Sequence, residues 1–353
     1  MSLNAEPTGP SPAAPVHPSV ATAAPPQGRP SRWRSQAGEF IRTRGSIVAL
    51  ILLVALFAAG NPIFLSLANI QSIFDAAAVV AVIAVGETFV ILTGAIDLSI
   101  EGIMALSAVV IAMLVSNDRN STNLGLLAIP VVLALGALMG LVAGLANTRL
   151  RIPSFMATLG TWSVCLGLGT VLFGGQPPII RDQGFLSIGH GQTFGFTNIS
   201  YIAVIVVLFA WLLQRYTRFG RYAYVIGGGE DVARLSGVNV DRYKKLIFMF
   251  SGTMFALAAV LATSELGVGD VGTGRGDLFA AITAVVVGGT LLSGGKGSVP
   301  QSLIGALIIA VLANGMILSG ITPLAQQGMQ GAIILVVVAL TGWPARRRLR
   351  VIK

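Results

Sequence analysis

Apolar runs of about twenty residues, separated by short polar interruptions, follow one another from residue 46 almost to the end of the chain. A hydrocarbon core about 30 Å thick is crossed by roughly 20 residues rising 1.5 Å each, so each run has the length of a membrane span. Ten candidate spans are expected, at 46–66, 75–96, 99–116, 124–147, 154–174, 198–214, 246–265, 278–293, 300–318 and 324–341. The separators around the second, third, eighth and ninth are short, and broken or re-entrant helices enclosed by protein fit the same pattern. Gly136, Gly140 and Gly144 recur every four residues in the fourth run, which puts them on one helical face as a packing seam. A seam that slides during transport is the functional version of that reading. The expected fold class is all-α: a polytopic transmembrane helical bundle of about ten spans.

The flanks read differently. The first thirty residues hold eight of the sixteen prolines among Ala, Ser and Thr, without apolar periodicity. Residues 1–45 are expected to form a disordered Pro/Ala-rich tail, 46–342 the membrane domain with an inner loop over 215–245, and 343–353 a basic tail. A secretory signal would begin its apolar stretch near the start, whereas here that stretch follows Arg29, Arg32, Arg34, Arg42 and Arg44. Lys and Arg accumulate in cytoplasmic loops. With ten alternating spans and the N terminus inside, 20 of the 23 basic residues fall on the inner side, seven of them between Arg215 and Lys245. Both termini are therefore expected in the cytoplasm, an arrangement that eight spans with two re-entrant segments also satisfies.

Composition narrows the classes. The 353 residues are 54% hydrophobic and 10% charged, against about 25% charged in soluble domains. A formal charge of +9 would suggest nucleic acid on a soluble face, but these charges sit between apolar runs and report topology. Cys165 lies in an apolar run, and His17 and His190 are too few and scattered for a metal site. Gly267, Gly269 and Gly272 match G-x-G-x-x-G but lie between two spans, without the strand and helix of a dinucleotide fold. Gly294-Gly-Lys-Gly-Ser298 lacks the leading glycine of a P-loop and has Gly after the lysine. No cofactor is expected, and no paired catalytic constellation marks an enzyme.

Ionisable groups in or beside apolar runs cost several kcal/mol unless they face protein or water, so they are candidate pathway residues by default. Glu87, Asp97 and Glu101 are these groups. Asp97 has a structural alternative as a helix cap. Thr88 and Asn314 can hydrogen-bond a solute hydroxyl or a neighbouring helix. In the inner loop, Gly227-Gly-Gly229 followed by Glu-Asp-Val-Ala-Arg-Leu-Ser-Gly237 suggests a glycine break and then a short helix on which Glu230 and Arg234 can pair.

Here the residues carry a resemblance. Asp231-Val-Ala233-x-x-x-Gly237 resembles the E-A-A-x-x-x-G signature of bacterial ATP-binding-cassette importer permeases, with Asp for Glu and Val for the first Ala. Thr217-Arg-Phe-Gly-Arg221, Thr93-Gly-Ala-Ile-Asp-Leu-Ser99, Arg151-Ile-Pro-Ser-Phe-Met-Ala-Thr-Leu-Gly160 and Val287-Gly-Gly-Thr-Leu-Leu-Ser-Gly-Gly-Lys-Gly-Ser-Val299 are similar to segments of the ribose and xylose type. The chain departs from that pattern at Ala95, at Glu101, where the family usually has glycine, and in Asp277-Leu-Phe-Ala-Ala-Ile-Thr-Ala284, where its two acids are lost in register.

The resemblance implies a permease of the inner membrane. It would pair with a second permease subunit around a central path, receive a monosaccharide or similar solute from an external binding protein, and dock on a cytoplasmic ATPase. The residues it assigns to coupling are Gly228, Glu230, Asp231, Ala233, Arg234 and Gly237. An amino-acid permease of the same class and an ion-driven secondary transporter are the rival readings.

Overall fold

The computed structural model describes residues 32–322 together with 325, 328, 329, 331 and 332. In chain order the described helices are α1 (Arg32–Gly60), α2 (Leu67–Leu92), α3 (Ile100–Leu114), α4 (Ala128–Thr148), α5 (Ser154–Phe173), α6 (Gln183–His190), α7 (Asn198–Tyr216), α8 (Arg218–Gly228), α9 (Glu230–Leu235), α10 (Val240–Leu266), α11 (Asp277–Gly288) and α12 (Val299–Leu318). A small antiparallel hairpin interrupts this all-helical pattern: β1 (Gln192–Thr193) pairs with β2 (Phe196–Thr197), Gln192 opposite Thr197. The chain divides into two units, Met1–Glu39 and Phe40–Lys353. Of the first, the described part is the opening of α1; the bundle belongs to the second.

Six stretches are long and apolar enough to cross a membrane: α2, Gly125–Thr148 (α4 with the turn before it), α5, α7, α10 and α12. Three more apolar helices are shorter: Gly45–Gly60 within α1, α3 and α11. Nine of the ten expected spans thus coincide with an apolar helix; the tenth, 324–341, lies almost wholly outside the described residues, as do 1–31 and 343–353 of the expected tails. The helix α1 reaches back to Arg32, so the expected tail is helical from there on. Beyond Pro30 the sequence has no proline before Pro62, and its Arg, Gln, Ala and Glu residues favour helix.

Helices in lipid gain little from burying apolar surface against one another, because acyl chains are as apolar as leucine; close packing holds them. The glycine seam on α4 provides it. A β-carbon at Gly136 or Gly140 would strike the backbone of Gly252 or Phe248 on α10, and Gly252 meets α4 in the same way. The expected seam is present, and its partner is α10. The helices α2 and α10 form the centre, with 78% and 67% of their most apolar windows buried, against 28% for α4 and for α5. Leu138, Val142, Val164 and Val171 on those outer helices are exposed, as lipid-facing residues would be.

Two apolar helices are shorter than a full membrane crossing. At 1.5 Å per residue α3 is about 22 Å long and α11 about 18 Å, each short of a full crossing. Each is continued by irregular backbone: Thr93–Ser99 leads from α2 into α3, and Gly289–Ser298 joins α11 to α12.

Candidate functional site

The basic inner segment is not a loop. Residues 218–228 form α8, and only Gly229 separates it from α9. The expected three-glycine break is therefore confined to one residue, with Gly227 and Gly228 still helical. The Thr217 hydroxyl caps α8 by accepting from the Gly220 N–H at 3.3 Å. The short α9 ends at Gly237, whose φ of +80° is left-handed. The Gly237 N–H donates to the Arg234 carbonyl and the Val238 N–H to that of Ala233, both at 3.0 Å. These two bonds form a Schellman stop, and glycine permits its backbone conformation at the position the sequence anticipates. Ala233 is fully buried and packs with Ile226 and Val240 beneath Val238 and Tyr243, which fixes α9 to α8 and α10.

Charges complete the fixation. Arg234 pairs with Glu230 at 3.0 Å, as expected, and also with Asp241 at 2.5 Å; Lys244 reaches Glu230 at 2.5 Å. Partial burial alone would raise the Glu230 carboxyl, but the hydrogen bonds and charges of Lys244 and Arg234 outweigh it and hold it below its ordinary value. A lowered carboxylate keeps its stabilising tie above its ordinary value and loses it as pH falls through the lowered one. The outward face of α9 carries Asp231, Val232 (67% exposed) and Leu235 (89% exposed). Beside it, a cavity of about 650 Å³ opens between Asn147–Pro153 and Glu230, Arg234, Asp241 and Lys244.

The membrane candidates fall in two places. Glu87 and Asp97 are both fully buried and adjacent. Glu87 Oε1 accepts from the Asp97 N–H at 3.4 Å, whereas its Oε2 has no hydrogen-bond partner among the described residues. Asp97 does not cap α3 itself. Its Oδ1 accepts from the N–H and hydroxyl of Ser99, at 2.9 and 2.5 Å, and its Oδ2 from the Ser251 hydroxyl of α10 at 3.0 Å. Thr88, one residue on from Glu87, donates to the Ala84 carbonyl at 2.5 Å and lies 2.7 Å from the Ser302 hydroxyl of α12. Asn314 is elsewhere, in a reciprocal amide pair with Asn69 at 2.8 and 3.0 Å.

Three sequence motifs that lie far apart in the chain meet below this polar cluster. The Gly295 N–H donates to the Leu92 carbonyl at 2.9 Å, and a β-carbon on Gly227 would strike both Leu92 and Gly295. The Tyr224 hydroxyl of α8 donates to the Gly297 carbonyl at 2.7 Å. The end of α8 is thus wedged between the C terminus of α2, which carries Glu87, and the turn leading into α12. Sequence reasoning missed Val232, Leu235, Asp241 and Lys244. A helix-period reading of Glu230–Leu235 would have set Val232 and Leu235 on the face opposite Ala233.

A bundle of apolar helices around buried polar groups, with a basic helical platform at one end, is the architecture of a multi-pass membrane permease. Over residues 69–338 the chain matches the family described as branched-chain amino acid transport system / permease component, and it belongs to that family. It is 40% identical over 276 residues to the ribose import permease protein RbsC of Haemophilus influenzae, covering 77% of this chain and 84% of that protein. It is 38% identical over 265 residues to the RbsC of Bacillus subtilis, covering 74% and 81%. It is 33% identical over 283 residues to the galactose/methyl galactoside import permease protein MglC of Escherichia coli, covering 76% and 84%. These relatives are transport components, not enzymes. No solved structure matches the chain.

Proposed function

We propose that the chain is the transmembrane permease subunit of an ATP-binding-cassette importer that carries a monosaccharide or similar small polyol-like solute across the inner membrane. Its ten spans leave both termini in the cytoplasm. A second permease subunit lines the path with it, an external binding protein delivers the solute, and a separate ATPase docks on α8 and α9. The observation that carries the coupling part is α9 itself: a six-residue helix, anchored by Ala233 and by two ion pairs to α10, that holds Val232 and Leu235 out from the platform. Val232 and Leu235, held out together on a charged surface, offer a partner an apolar contact.

ATP-driven movement of such a partner would push on α9, and α8 would pass the displacement to the junction of Leu92, Gly227 and Gly295. From there it reaches the Glu87–Asp97 cluster, where packed helices with two arrangements can convert it into alternating access. The ribose and galactose permeases among the relatives support a sugar; the family description, which names branched-chain amino acids, gives the second reading. Reconstitution with a cognate ATPase and binding protein tests both. ATP-dependent sugar uptake that stops when the ATPase is inactivated is expected. Uptake driven by an ion gradient through this chain alone would overturn the importer, and uptake of leucine but no sugar would replace the solute.

A further inference from the structure

Two of the places where this chain departs from the sugar-permease pattern, Glu101 and the segment opening at Asp277, meet in space. Glu101 stands in the first turn of α3, and its Oε1 accepts from the N–H of Gly276, the cap of α11, at 2.9 Å across 175 positions of sequence. Both helices are shorter than a full crossing, and each begins at this meeting point. The far end of α11 leads into the turn that touches α2 and α8 near the platform, and α11 accounts for about 18 Å of a roughly 30 Å core. The far end of α3 leads to Asn117, which bridges to Ile180 on the opposite side.

A cavity of about 150 Å³ opens here, lined by Glu101, Trp162, Leu166, Val271, Thr273 and Arg275. That is room for much more than a water molecule, which needs about 10–15 Å³ on the same measure. Thr273 is buried, with only 6% of its surface exposed, and its hydroxyl has no hydrogen-bond partner among the described residues. A buried hydroxyl left unpaired is costly unless something fills the site. Glu101 has one oxygen held by Gly276 and a second to offer. Among the described residues, Glu101 and Arg275 form no ion pair with each other. A second cavity, about 350 Å³, also borders Thr273 and Arg275 and continues past Asp270 and Ala262.

Resting on the importer reading, we propose that this cavity is the membrane subsite for the solute and that it takes a small neutral polyol. The Trp162 indole offers a flat apolar surface to the C–H face of a ring, and Glu101 accepts from one hydroxyl. Thr273 and Arg275 serve its neighbours. A carboxylate and a guanidinium facing one cavity select a neutral solute that both donates and accepts, and they disfavour a net charge of either sign. Glu101 sets the discrimination between solutes within the family.

The test uses the full chain in lipid nanodiscs with Trp33, Trp211 and Trp343 replaced by Phe, so that Trp162 alone reports, titrated with D-ribose, D-galactose and L-leucine. A saturable fluorescence change with a sugar is expected. Glu101→Gln keeps the oxygen that holds Gly276 but puts an amide donor where the free acceptor was, and Thr273→Val keeps the shape without the hydroxyl. Each is expected to raise the half-saturating sugar concentration about tenfold, as loss of one buried hydrogen bond would. Silence toward both sugars, a response to leucine alone, or unchanged half-saturation in both variants overturns the subsite. If Trp162 responds to sugar while no ATPase ever engages the chain, the importer reading fails and the subsite stands; a coupled importer with a silent Trp162 fails the subsite alone.

Discussion

The backbone N–H of Gly295 donates to the carbonyl of Leu92 at 2.9 Å, and Gly227 at the end of α8 leaves no room beside them for a side chain. Through this contact the basic platform touches the last turn of α2 five residues from Glu87. It gives the platform a direct route to the buried acids. Gly227→Ala is expected to force these backbones apart, at a cost of about 1–3 kcal/mol for overpacking. Uptake should fall by more than half with the protein still inserted and α9 still exposed. Uptake at the wild-type rate in correctly folded Gly227→Ala would remove the junction from the coupling route.

Packing of α4 on α10 predicts a contrast between glycines. Gly140→Leu has to displace the Phe248 backbone and is expected to lower the melting temperature by several degrees, through a loss of about 1–3 kcal/mol. Gly160→Ala on α5 meets nothing within 4 Å and should change the melting temperature little. Thermal unfolding of the detergent-solubilised variants measures both, and equal melting temperatures would contradict the seam.

The buried acids differ in their partners, which separates their expected phenotypes. Asp97 holds Ser99 and Ser251 through three hydrogen bonds, so Asp97→Asn is expected to lose about 1–3 kcal/mol of stability. Glu87 has an oxygen with no partner among the described residues, so Glu87→Gln keeps shape and hydrogen-bonding capacity while removing the charge. It should alter transport kinetics more than the melting temperature. Unchanged kinetics would make Glu87 dispensable.

Topology is tested from the outside. Cysteines introduced near Asp182 and Ser319 in a Cys165→Ala background should react with a membrane-impermeant thiol reagent in intact cells, and one near Arg347 should not. Labelling at 347 would overturn the charge argument that puts both termini in the cytoplasm.

What the sequence discloses here depends on the range of each interaction. The stop at Gly237 is local, since a glycine after a short helical run needs only its neighbours, and it is legible from residues alone. So is the seam of Gly136, Gly140 and Gly144, although which helix fills it is not. The helix α8 is hidden because charged residues and adjacent glycines suggest a loop, and only burial of Ala223 and Ile226 against neighbouring elements makes it helical. Glu101 and Asp277 read as two unrelated departures from a pattern. Their adjacency is created by the starts of two short helices meeting across 175 positions of sequence, a long-range fact that no local periodicity carries.

If α9 is the docking element, a crosslink measures it. Leu235, 89% exposed at the end of that helix, is replaced by Cys in the Cys165→Ala chain and co-expressed with a cognate ATPase. A disulfide-range crosslink to the ATPase is expected, together with its loss in Gly237→Val, where a branched side chain opposes the left-handed backbone at φ +80° by about 1–2 kcal/mol or more. Membrane insertion of the variant should be normal. If no cysteine between 230 and 237 ever reaches an ATPase, and Gly237→Val co-purifies with it at the wild-type level, α9 is a solvated surface helix and the docking account is wrong.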